Sequence, residues 1–386
     1  MHLVCFSHLR WNFVYQRPQH LLSRFADVSS VWFWEEPIYG SKQPELQVTR
    51  VADGPDVCVP HLPEGTSPEL AWAMQRELLD EQLSRQNVSD YVLWYYTPLA
   101  MNFTAHLKPR ATVYDCMDEL SAFRGAPPGL RVAERELFAS ADVVFTGGRS
   151  LFESKKRQHN NVHAFPSSID AKHFERARET QPDPADQQHI PHPRVGFAGV
   201  IDERLDADLL LAAAELCPEW NFIMIGPVVK IKDSELPRRS NIHYLGQKRY
   251  EELPTYFAGW DLGMLPFARN EATRYISPTK TPEYLAAGLP VVSTSIADVV
   301  HSYGTIKLAE IADTPAEFAS ACKKVLDRKN DPTWLARVDK VLATNSWDLT
   351  WKQMHALIQG ILEAKAARTS ERKTALNPPW EVAPST

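Results

Sequence analysis

The sequence contains no apolar run near the ~20 residues that a membrane-spanning helix requires. It also lacks a cysteine framework. Its five cysteines, Cys5, Cys58, Cys116, Cys217 and Cys322, are odd in number, scattered and never spaced as CxxC. That excludes a disulfide scaffold and a cysteine zinc site, and it leads to the expectation of a reducing compartment. Charge of one sign is scarce as well. The net charge is −6, with 23% charged and 44% apolar residues, which fits a globular protein and neither a disordered nor a nucleic-acid-binding one. No repeat of fixed period occurs. The first ten residues are too polar, at Ser7, His8 and Arg10, for a secretion signal. Asn87-Val-Ser and Asn102-Phe-Thr therefore read as chance matches to glycosylation acceptors. The expectation is a cytoplasmic protein, with peripheral membrane contact left open.

What the chain does have is alternation. At 386 residues it exceeds one ordinary core, so two domains are expected. Short apolar runs at 3–6, 31–34, 91–96, 112–114 and 143–146 read as buried strands, with helical patterns at 18–26, 71–83 and 131–138 between them. The pattern stops in the Pro-, Asp-, Gln- and His-rich stretch 179–193, the best linker. It resumes with strands at 195–198, 222–225, 242–245, 262–265 and 290–293 and helices at 206–215, 250–257, 317–326 and 334–342. Continuous apolar strands between helices imply parallel sheets covered on both faces. The expected fold class is α/β, with two Rossmann-like, doubly wound domains facing a cleft. Residues 1–178 form the first domain and 194–345 the second. A last helix from 347 to 366, within a 346–386 segment, packs back toward the first domain, and the tail from Arg368 is loose. Ligands bind at the strand ends of such sheets, so the loops after strands carry the chemistry.

The most informative loop is Ser277-Pro-Thr-Lys-Thr-Pro-Glu283, followed by a small apolar helix that stops at Gly288. A helix opening with Thr279 and Lys280 offers free N–H groups and a cation together, which suits phosphate. Glu283, one turn on, is placed to reach a diol on the same ligand. Taken singly, Glu283 equally suits a favourable charge against the helix dipole, and Lys280 a solvated surface charge. The combination points to a nucleoside diphosphate with its ribose.

Five pieces in order carry a family resemblance. They are Val195-Gly-Phe-Ala-Gly199, Phe222-Ile-Met-Ile-Gly-Pro227, Asn241-Ile-His-Tyr-Leu-Gly246, Trp260-Asp-Leu-Gly-Met-Leu-Pro-Phe267 and the loop just described. The chain resembles the GT-B glycosyltransferases, and its second half resembles the retaining nucleotide-sugar transferases of "family four". The opening Arg10-Trp-Asn-Phe-Val-Tyr-Gln-Arg-Pro-Gln-His20 is similar to bacterial enzymes of surface polysaccharide synthesis, including teichuronic acid glycosyltransferase-like proteins. The resemblance implies roles by position. Glu283 would hold the donor ribose, Ser277, Pro278, Thr279 and Lys280 the diphosphate, and Arg204 a phosphate. Gly199 would bind the donor, Gly226 and Pro227 would lie near the nucleobase, and Gly246, Gln247 and Lys248 would offer backbone groups to its edge. His8, Trp11, Asn12 and Arg17 would face the donor from the other domain. Many relatives carry a glutamate where Tyr275 stands, so that acidic sugar contact is missing, and the glycines usual in the first loop are replaced at Trp11 to Phe13.

The implied reaction moves a sugar from a nucleotide-diphosphate sugar to a saccharide or lipid-linked acceptor, with retention and with neither metal nor cofactor. Arg204 and Lys280 would be the catalytic cations. Asp115, Asp118 and Glu119 follow a strand and point to the cleft, either as acceptor contacts or as a helix cap and turn. Asp206 and Asp208 read as capping residues and not as metal ligands. Lys155-Lys-Arg157 reads as a solvated face or a contact to anionic lipid. Two other functions stay open: a nucleotide-sugar epimerase of the same fold, and a non-catalytic nucleotide- or sugar-binding module.

Overall fold

A computed structural model describes residues 1–376 of the chain. Residues 377–386, where part of the expected loose tail falls, lie outside the described residues. Two sheets organise the rest. The first holds β1 (His2–Phe6), β2 (Ser30–Trp34), β3 (Ile38–Ser41), β4 (Glu45–Arg50), β5 (Asp56–Pro63), β6 (Tyr91–Tyr95), β7 (Ala111–Cys116), β8 (Val143–Thr146) and β9 (Val162–Ala164). Its order is β3-β5-β2-β1-β6-β7-β8-β9, parallel throughout, with β4 added antiparallel to β5. The second holds β10 (Arg194–Ala198), β11 (Asn221–Ile225), β12 (Ile242–Gly246), β13 (Leu262–Leu265), β14 (Val291–Ser293) and β15 (Ala309–Ile311), all parallel in the order β12-β11-β10-β13-β14-β15.

The central strands are buried along their whole length, as in β6 (Tyr-Val-Leu-Trp-Tyr) and β11 (Asn-Phe-Ile-Met-Ile). A strand with apolar side chains on both faces must be covered on both faces, and helices do this here. Strand order reverses at β1/β6 in one sheet and at β10/β13 in the other. The loops after β1 and β10 therefore open into the crevices where such sheets bind ligands.

The stretch 179–193 has little regular structure, as its composition predicts, but it is a packed strap. Gln187 is fully buried and accepts from Trp260 Nε1 at 2.9 Å, and Asp183 pairs with Arg194 at 2.7 Å. Proline and polar residues signal the absence of a helix or strand; they say nothing about packing.

The last helix, Trp347–Leu376, returns to the first domain. Trp347, Met354, Ile358 and Leu362 enter that domain's apolar cluster, and Asp348 pairs with Arg24 at 2.6 Å. The helix passes Arg368, so the stretch expected to be loose begins as helix. No described helix is long and apolar enough to cross a membrane.

Candidate functional site

The site forms where the loop after β1 meets the loops after β10 and β11 and the helix Lys280–Ala286. Its floor is made of glycine. Gly226 has φ +145°, and a Cβ there would fall 1.8 Å from the Gly199 carbonyl oxygen. Only glycine lets these two strand ends approach so closely. The helix is fixed beneath them by Tyr284, whose buried hydroxyl accepts from the Ala198 N–H at 2.7 Å. Its first turn carries no side-chain cap, and the N–H groups of Ser277, Thr279, Lys280 and Thr281 donate to no other group among the described residues.

Two cavities adjoin here. The larger, about 660 Å³, is lined by Trp11–Tyr15 from the first domain and by Gly199, Gly226, Pro227, Gln247–Leu253 and Lys280 from the second. In it Tyr15 stacks on Tyr250 at 4.6 Å across the domain boundary. The smaller, about 140 Å³, is lined by Val14–Arg17, Met117, Asp118, Arg204 and Ser277–Lys280. Lys280 lies in both walls and marks their junction.

Charge is organised around that junction. Arg204 lies against Asp202, and its Nη1 makes no hydrogen bond among the described residues. The Arg204 guanidinium and the Lys230 ammonium both lie over the Phe123 ring of the first domain, at 5.5 and 4.8 Å. Lys280 donates to Glu283 Oε2 at 2.7 Å. The Asp118 carboxylate makes no hydrogen bond among the described residues, while its backbone carbonyl accepts from Cys116 Sγ at 3.6 Å. Burial pushes its carboxyl up to about 6, against the opposing pull of Arg204 and Arg17. His8 is half-buried with Nδ1 unpartnered, and burial plus the nearby Lys230 lower it to about 4, so it is neutral near pH 7.

The structure brings together Ser277, Pro278, Thr279, Lys280, Arg204, Gly199, Gly226, Pro227, Gln247, Lys248, Asn12 and Asp118. Gly246, at φ +72°, turns the chain into the 247–253 wall. The Gln247 side chain reaches the Phe13 carbonyl from across the cleft. Lys248 is tied to Asp186 at 2.6 Å, which leaves its backbone to the cavity.

Several expectations need correction. Arg17 does not offer its guanidinium to the cleft. It is 4% exposed, bonds both Asp115 oxygens, and donates to the Phe165 carbonyl at 2.8 Å. Asp115 is fully buried in that pair and cannot touch an acceptor. Glu119 turns to Lys155 at 2.8 Å. Lys155 also pairs with Glu134 at 2.8 Å and is itself buried, so the 155–157 run is not one solvated basic face. Trp11, 8% exposed with its ring on Phe33, does line the larger cavity as expected. Tyr275 packs against an apolar cluster of the first domain and lines neither cavity. Glu283, 5% exposed, contacts the cavity only through Lys280. Asp206 caps its helix by accepting the Leu209 N–H at 2.9 Å, as read from the sequence.

Lys230, Phe123, Asp202 and Tyr250 were not singled out from the sequence. A cation shortly after Gly226-Pro227 at a strand end was a usable signal for Lys230. Asp202, two residues before Arg204, was another. Phe123 and Tyr250 carry no local signal.

Two parallel-sheet domains with strand ends facing one crevice define the GT-B fold of glycosyltransferases, and this chain adopts it. Residues 192–328 match the family glycosyl transferases group 1. TuaH of Bacillus subtilis (strain 168), provisionally named a teichuronic acid biosynthesis glycosyltransferase, is 26% identical over 297 residues, covering 72% of this chain and 74% of TuaH. Among solved structures, sucrose-phosphate synthase from Thermosynechococcus elongatus superposes with a TM-score of 0.71 at 14% identity, over 94% of this chain and 99% of that one. Anabaena HepE in complex with UDP and glucose gives 0.63 at 13% identity, over 92% and 99%.

Proposed function

We propose that the protein transfers a glycosyl group from a nucleoside-diphosphate sugar to a hydroxyl of a saccharide or lipid-linked acceptor, in polysaccharide synthesis. The observation that carries this reading is the junction of the two cavities, where Lys280, the free fork edge of Arg204 and unpaired N–H groups converge between the domains. The larger cavity takes the nucleoside, with the base beside Gly226 and Pro227 and Tyr250 in the wall. The diphosphate lies at the junction, and the sugar enters the smaller cavity toward Asp118. The HepE complex with UDP and glucose and the TuaH likeness support the donor class and the polymer setting.

Cleaving the bond from the anomeric carbon to the phosphate oxygen builds negative charge on the diphosphate. Arg204 and Lys280 stabilise that charge, helped by the N–H groups of Ser277, Thr279 and Lys280. Arg204 presents a fork that Asp202 holds in one orientation, and Lys280 acts as a point charge. The acceptor oxygen then bonds to the anomeric carbon, and its proton passes to the departing phosphate oxygen. This gives retention without a protein base. In this reading the cationic side chains neutralise the leaving group and no metal is required.

The test is turnover with a panel of nucleotide sugars and saccharide acceptors. Release of nucleoside diphosphate coupled to a new glycosidic bond supports the proposal. Nucleotide binding with no sugar release means a binding module, and interconversion of the sugar without transfer means an epimerase.

A further inference from the structure

A second large cavity, about 730 Å³, lies wholly in the first domain, at the C-terminal ends of β1 and β2 and beyond β6. Its charge differs from that of the nucleotide cavity. Lys248, Arg249 and Lys280 line the nucleotide cavity beside Glu251 and Glu252, whereas no Lys, Arg or His lines this one. Four carboxylates do: Glu35, Glu36, Glu69 and Glu136. Only Glu35 is in an ion pair among the described residues, with Arg10 at 2.9 Å. Aromatic side chains supply much of the remaining wall, among them Trp34, Trp72 and Phe103. Carboxylates beside aromatic faces suit a polyol, because the first accept from hydroxyls and the second pack on the apolar face of a sugar ring. Unpaired carboxylates without a cation repel an anionic ligand.

The two cavities are mechanically joined. Glu35, in the wall of the second, accepts the Trp11 N–H at 2.7 Å, and Trp11 begins the 11–15 segment that lines the nucleotide cavity. An occupant of one therefore abuts the loop that shapes the other.

We propose that this cavity receives the acceptor, and that the part bound there is an uncharged sugar, with phosphorylated or uronic acceptors excluded. The inference rests on the donor reading above. It selects among acceptors that the donor reading leaves open, because it places the negative charge of the reaction entirely on the donor side.

The experiment uses the full chain and two probes, octyl glucoside below its micelle concentration and the same glucoside phosphorylated at the 6-hydroxyl, with binding measured by titration calorimetry. The neutral probe is expected to bind at least tenfold tighter. Val132, exposed on the helix Leu130–Ser140, lines the cavity, so V132R places a cation in it at little cost to folding. V132R should weaken the neutral probe at least fivefold, tighten the phosphorylated one and leave thermal stabilisation by UDP and other nucleoside diphosphates unchanged. W72A should weaken the neutral probe without that gain. Equal or tighter binding of the phosphorylated probe to the unmodified chain would overturn the proposal, as would neutral-probe binding that V132R does not alter. Absence of neutral-probe binding alongside normal nucleoside diphosphate stabilisation overturns the acceptor assignment alone. Absence of any nucleoside diphosphate stabilisation strikes the donor reading, and this inference falls with it.

Discussion

The Arg204 guanidinium pairs edge to edge with the Asp202 carboxylate, with Nε 2.9 Å from Oδ1 and Nη2 2.7 Å from Oδ2. Asp202 is 3% exposed, so the fork is held by a buried partner and its free edge faces the junction of the two cavities. Arg204→Ala would strand that buried carboxylate and mix a folding defect with a catalytic one. Arg204→Lys is the cleaner variant, since it keeps the charge and loses the fork. We expect kcat to fall by roughly 10²-fold, in line with the loss of one oriented donor to a developing oxyanion, while Tm moves by only a few degrees. Steady-state kinetics beside thermal melts check this.

Glu283 is expected to act on the donor site through Lys280, whose ammonium it holds at 2.7 Å. Glu283→Gln removes the 2.7 Å ion pair with little change in shape. Nucleoside diphosphate affinity should drop about tenfold, the equivalent of about 1.4 kcal/mol. Thermal shift against nucleotide concentration measures it, and an unchanged affinity in a folded variant would remove Glu283 from the donor site.

The Asp118 carboxyl titrates near 6 in the folded chain and near its ordinary 3.8 when unfolded, because burial outweighs the nearby arginines. Folding therefore takes up a proton between these values. The stability from this group grows as pH falls through 6 and is lost again as pH rises past it. Tm of the wild type minus Tm of Asp118→Asn should increase as pH falls from 7.5 to 5. A difference that stays flat over that range contradicts the assignment.

Arg17 and Asp115 form a pair 5% and 0% exposed in their side chains, so breaking it leaves a buried charge unpaired. Asp115→Ala should cost about 3–5 kcal/mol. The double replacement Arg17→Met with Asp115→Leu should recover much of that loss. Denaturant unfolding of the single and double variants checks the coupling.

Asp298, on the second domain, accepts the N–H groups of Arg149 and Ser150 of the first at 2.9 Å each. The fit is tight, since a Cβ on Gly148 would lie 2.0 Å from Asp298 Oδ2. Asp298→Ala should loosen this contact by about 1–3 kcal/mol, the usual cost of leaving buried donors unpaired. An increased radius of gyration in small-angle scattering, with an unchanged fold by circular dichroism, is the expected result.

Much of the fold could be read locally. The strands β10, β11 and β13 announce themselves because they are apolar on both faces, and the Ser277–Glu283 loop because its chemistry lies within seven residues. The strands β3, β4 and β5 could not be read. β4 is largely exposed and antiparallel, and β5 contains Pro60 and Pro63, which break the usual strand signal. The fates of Arg17 and Lys155 were equally hidden. Arg17 finds its partner 98 residues away, and Lys155 finds Glu134 21 residues away. A charge in sequence reads as solvated until tertiary structure supplies a buried counterion. Lys230 and Phe123 meet Arg204 only when the two domains face each other, so no single stretch of sequence could reveal that cluster.

A crystal structure of the protein with a nucleotide-diphosphate sugar tests the central claim most directly. The account predicts the diphosphate at the meeting point of the two cavities, within hydrogen-bond reach of Lys280, Arg204 Nη1 and the Thr279 and Lys280 N–H groups. A sugar nucleotide bound elsewhere, with that point left unoccupied, would contradict it.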